Sequence, residues 1–139
     1  MRDSTTTDRW PVLLALFGLG NLLNGAWMLA SPAHWYIHLP AGVPDSGPLN
    51  EHFVRDIGCI FFLLGAALLV SIRRRHWRVG AMAAASAYSV AHALVHVYDS
   101  ARGLFEAGHW KLDLGPVYVT TLLLVLVTWK LVREEAAGS

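Results

Sequence analysis

Four long apolar runs divide this chain, at about residues 10–30, 50–72, 77–98 and 114–131, and shorter polar stretches separate them. Each run is close to the ~20 apolar residues that a helix needs to cross a bilayer core. The pattern predicts an all-α fold: an integral membrane four-helix bundle in a single domain, with loops at 31–49, 73–76 and 99–113. Pro11 suits the first turn of the first helix. That run reads as a spanning helix, not as a cleaved signal. It is longer than a signal core, it carries Asn21 and Asn24, and Asp3 and Asp8 accompany Arg2 and Arg9 in the polar tail before it.

The connections carry the topology. Pro32, Pro40, Pro44 and Pro48 exclude a continuous helix across the first loop. Its aromatic stretch His34-Trp35-Tyr36-Ile37-His38-Leu39 suits a short segment at headgroup level. The very short second loop makes runs two and three an antiparallel hairpin. Arg73, Arg74, Arg75 and Arg78 cluster there, whereas the first loop has neither Lys nor Arg. Cytoplasmic loops carry the excess of basic residues, so this turn and both termini are expected in the cytoplasm. Trp10, Trp77 and Trp129 then fall at the inner interface, and Trp27, Trp35 and Trp110 at the outer one. The third run is rich in small residues, among them Gly80, Ala84, Ala87 and Ala91, which let helices pack closely within the chain or between copies of it.

Composition agrees. Hydrophobic residues make up 55% and charged residues 15%, against about 45–50% and 25% in typical soluble domains. The formal net charge is +1 and no basic block is present, which argues against nucleic acid as a partner. Cys59 is the single cysteine, so no intrachain disulfide forms.

The candidate chemistry lies on two stripes. His92, His96 and Asp99 stand at i, i+4 and i+7, on one helix face. His52, Asp56 and Cys59 repeat the spacing on the second run. Ionisable groups within spanning segments mark functional sites by default. Counting residues from the helix ends puts both stripes in the outer half, level with Asn24, Tyr118 and Thr121. One reading is a metal site with His52, Asp56, His92 and His96 as ligands and Asp99 as a further ligand or an acceptor for a histidine N–H. Iron, zinc, copper and manganese all accept such ligands. A second reading is a hydrogen-bonded network that glues the helices together. Haem between facing histidines is a third, and a proton path the fourth. The inner half of each helix is almost entirely apolar, so any path is expected to be a pocket open to the outside. His34, His38 and His109 read as interfacial loop residues. Whether the protein is an enzyme stays open. As a metal-dependent oxidoreductase it would act on an apolar small molecule entering from lipid; otherwise it is a scaffold or a subunit of a homo-oligomer or membrane complex.

In layout the chain resembles the DoxX-like group of small bacterial four-helix membrane proteins. The features that carry the resemblance are Asn24-Gly25 and Ser31-Pro32 around the end of helix one, and Phe53-Val54-Arg55-Asp56-Ile57-Gly58 at the start of helix two. It implies a location in the bacterial cytoplasmic membrane, a redox-associated accessory role and contact with quinone. The stripe His92, His96 and Asp99 has no counterpart in that group.

Overall fold

A computed structural model of the chain describes residues 8–138. Most of the polar tail expected at the N-terminus therefore lies outside the described residues. Four long helices dominate: α1 (Trp10–Ala30), α3 (Glu51–Arg73), α4 (Arg78–Ala101) and α5 (Trp110–Gly138). A short helix, α2 (Pro32–His38), follows α1 in the stretch expected at headgroup level. No strand occurs among the described residues. Three of the helices, α1, α3 and α5, are long and apolar enough to cross a membrane. Their outward faces carry large apolar side chains such as Leu16, Leu23, Leu63 and Leu122, as lipid contact requires.

Local chemistry sets the ends of the elements. Pro11 and Pro32 occupy first turns, where a missing N–H costs nothing. The Asn50 side chain caps α3 by accepting from Phe53 N–H at 3.1 Å. The helix α5 begins at Trp110, four residues before the expected start, and runs to Gly138 beyond the expected end. Pro116 does not delay it. The segment Leu114–Val119 widens into a π turn that accommodates the proline, and the Thr120 hydroxyl donates to Gly115 O at 3.0 Å.

The closest helix pair is α1 with α3, and glycine makes it possible. A Cβ on Gly25 would lie 2.4 Å from Phe62 N, and one on Gly65 would lie 2.4 Å from Leu22 N. Gly18 and Gly58 occupy the reciprocal positions, so two backbones touch at two levels. Of the small residues of α4, Ala81, Ala85 and Ser86 are buried against the other helices, whereas Gly80 has no atom within 4 Å of its virtual Cβ. Hydroxyls also join α4 to α5: Ser86 and Thr128 lie 2.7 Å apart, and Thr121 donates to Ser89 O at 3.2 Å.

One buried cluster draws on all four long helices: Trp10 and Leu14, Leu68, Ala81, Met82 and Ala85, Leu124 and Leu131. It sits toward the end that carries the turn Arg75–Trp77, here called the inner end. A polar knot closes that end. Arg78 is buried and donates to Ser71 O and Ile72 O, each at 3.3 Å, and to Asp8 Oδ2 at 3.2 Å. Arg9 pairs with Glu134, which also accepts from Trp10 Nε1 at 3.0 Å. The start of α1, the α3–α4 turn and the last turns of α5 therefore share one end of the molecule.

Candidate functional site

The two expected stripes do not form one site. His52 and Asp56 face each other at 3.5 Å on α3, but their side chains are 88% and 60% exposed. Cys59 is exposed as well. Arg55 pairs with Glu51 at 3.0 Å rather than with Asp56. On α4, Asp99 accepts from Arg102 Nε at 2.8 Å and is not bonded to a histidine. The rings of His92 and His96 do meet, with centroids 4.7 Å apart and planes at 71°. Among the described residues, no group of three or more His, Cys, Asp or Glu side chains is arranged to hold a metal ion. The reason is helix pairing. The glycines of α3 turn toward α1, and this rotates the His52 face away from α4.

The polar centre that does form joins α4 to the outer loops. Asp113 on α5 is completely buried. His96 Nδ1–H donates to its Oδ2 at 2.8 Å. On the other side, His109 Nε2 stands 3.6 Å from Asp113 Oδ1, and His109 Nδ1–H donates to Asp45 Oδ2 at 3.0 Å. His109 is buried, whereas Asp45 is 52% exposed and meets solvent. The side chains thus run from the outer surface inward in the order Asp45, His109, Asp113, His96, His92. Tyr88 continues the line, its ring parallel to that of His92 at 6.0 Å between centroids.

Packing holds this chain of groups in place. Phe105, from the loop after α4, stacks on His109 at 4.2 Å with planes 5° apart, and on His96 at 5.8 Å. Gly42 adopts φ +61°, and a Cβ there would come within 3.1 Å of both Asp45 Oδ2 and His109 Cε1. Only glycine combines that backbone conformation with so close an approach. Tyr36 Oη donates to Gly47 O at 2.6 Å and ties the same loop to α2. The π turn starts at Leu114, immediately after Asp113; such turns recur at functional sites.

The proton inventory of the centre is unusual. A carboxylate only accepts, so the Nδ1 atoms of His96 and His109 carry the hydrogens in their short bonds. A neutral His109 would then turn its Nε2 lone pair toward Asp113 Oδ1, which is buried and has no hydrogen-bond partner. A further proton between these two atoms, on either one, removes the repulsion between lone pairs. For His96, a hydrogen at Nδ1 leaves Nε2 as the acceptor of the neutral ring.

Three members of this centre escape a search for stripes within apolar runs. His109 and Asp113 share the i, i+4 spacing of His52 and Asp56. They pass unnoticed when the helix is started at Leu114, because both then fall in a loop. Asp45 comes from a distant loop and gives no local signal. The other outer polar residues are engaged elsewhere: Asn24 Oδ1 accepts from Trp35 Nε1 at 2.9 Å, and Asn21 donates to Phe17 O at 2.8 Å. His34 and His38 stack on each other at 4.1 Å in α2. No protein family matches this chain, and neither a curated protein nor a solved structure is detectably similar to it.

Proposed function

We propose that this chain is an integral membrane protein whose working centre is a proton relay, Asp45–His109–Asp113–His96, that leads from the outer surface to His92 and Tyr88 within the helices. The observation that carries the reading is the 3.6 Å pair of His109 Nε2 and the unpartnered, buried Asp113 Oδ1. That pair has a hydrogen-bonded connection to solvent, because His109 is bonded through its other nitrogen to a carboxylate that reaches the surface. With the hydrogens so placed, a proton taken up at His96 Nε2 from His92 or a bound molecule releases the Nδ1 proton to Asp113 Oδ2, and Asp113 Oδ1 passes a proton on through His109 Nε2 and Nδ1 to Asp45.

All four long helices span the bilayer in this reading. The arginine-rich turn and both termini face the cytoplasm, and the relay opens to the outside of the bacterial cytoplasmic membrane. The helix α4 is less apolar than the other three, but its exposed face still carries Val90, Leu94, Val95 and Val97. A relay that reaches only part of the way across supplies protons to a reaction, or removes them, without forming a channel. The redox-associated role implied by the DoxX-like resemblance would use it for the proton leg of an electron–proton couple on an apolar small molecule such as a quinone. Metal binding is the less favoured reading, since His52 and Asp56 lie apart from His92 and His96.

The test uses the protein with labelled histidine rings in oriented lipid vesicles. The expected result is that the His92 ring resonances follow the external pH in the parent and stop doing so in Asp113→Asn. An unchanged response in Asp113→Asn would overturn the relay.

A further inference from the structure

The four arginines at the inner end divide into two pairs with different duties. Arg78 is buried, and Arg75 reaches the same Asp8 carboxylate at 3.5 Å. Arg73 and Arg74 are exposed and have no acidic partner among the described residues. The helix end does not need them either, because Arg78 already satisfies the carbonyls of Ser71 and Ile72. These two guanidinium groups border an open, shallow cleft of about 550 Å³ on the end of α3, lined besides them by Leu69, Val70 and Ile72 of the same helix. The cleft is cationic at its interfacial end and apolar toward the membrane interior. A second groove, of about 400 Å³, runs beside the same turn along Ala67, Trp77, Gly80 and Ala84.

We infer that this end of α3 is a binding site for one phospholipid with an anionic headgroup. Its phosphate sits between Arg73 and Arg74, and an acyl chain lies against Leu69 and Val70. Guanidinium forks match phosphate oxygens through paired N–H donors, which a diffuse basic surface does not offer. The apolar wall beside them selects a lipid over a free anion, because a free anion gains nothing from Leu69 and Val70. The inference rests on the membrane reading and is independent of the relay.

The protein is reconstituted in vesicles of equal phosphatidylglycerol and phosphatidylcholine, extracted in mild detergent and weighed intact by native mass spectrometry. One retained phosphatidylglycerol is expected per chain, with little phosphatidylcholine. Arg73→Gln/Arg74→Gln should lower that retention about thirty-fold, from roughly fivefold per arginine near an anionic surface. Lys130→Gln/Arg133→Gln removes the same charge from the same end of the molecule and should retain the lipid. Equal retention of both lipids, equal loss in the two double variants, or displacement by inorganic phosphate would each overturn the site. A chain that does not enter vesicles at all would instead overturn the membrane reading.

Discussion

His96 Nδ1 lies 2.8 Å from Asp113 Oδ2, and the aspartate that accepts this bond is wholly buried. The pair joins α4 to the start of α5 and fixes which nitrogen of His96 carries the hydrogen. Removing the aspartate leaves a buried N–H donor of His96 unsatisfied, which costs about 1–3 kcal/mol in comparable sites. Asp113→Ala should therefore lower the unfolding midpoint in detergent by several degrees, as read by circular dichroism. Asp113→Asn keeps an acceptor for His96 and should be milder in stability, while its proton response is lost.

The α3 stripe should behave as a separate, exposed pair. His52→Ala and Asp56→Ala are each expected to change stability by less than about 0.5 kcal/mol. Combined with His96→Ala, the effects should add, because distant sites without shared partners add to within about 0.3–0.5 kcal/mol. A double-mutant cycle by denaturant unfolding measures this. Coupling well above that level would return His52 and His96 to one site.

Glycine contacts between α1 and α3 give a sharp contrast. Gly25→Ala and Gly65→Ala place a methyl group 2.4 Å from the facing backbone nitrogen, so the two helices must separate. Overpacking of this kind costs about 1–3 kcal/mol, and backbone yields less readily than a side chain. Gly20 has nothing within 4 Å, so Gly20→Ala should be neutral or slightly stabilising through helix propensity. Unfolding midpoints of the three variants, measured together, decide the matter.

Arg78 holds the inner knot. Arg78→Gln loses the donors to Ser71 O, Ile72 O and Asp8 together. Hydrogen bonds to charged groups contribute about 1.5–3 kcal/mol each, so a loss of a few kcal/mol is expected. Backbone amides of Trp10 and of the turn Arg75–Trp77 should then exchange faster with deuterium, whereas those around His109 should not change.

The sequence alone determined the helical, membrane-compatible character of the chain. Hydrophobic runs of spanning length, prolines at first turns and the clustered arginines are local features, and local features fix where a chain turns helical and where it leaves the apolar phase. The stripe logic also set His92 beside His96, because i, i+4 neighbours on one helix meet whatever else the chain does. Tertiary structure decided everything that depended on the rotation of one helix against another. Gly18, Gly25, Gly58 and Gly65 bring α1 onto α3, and that single choice of face sends His52 and Asp56 outward. Only the folded chain brings Asp45 to His109 across 64 residues and both to Asp113. No periodicity encodes such a meeting, since it arises from a glycine-dependent loop and a π turn that carry the side chains to one buried point.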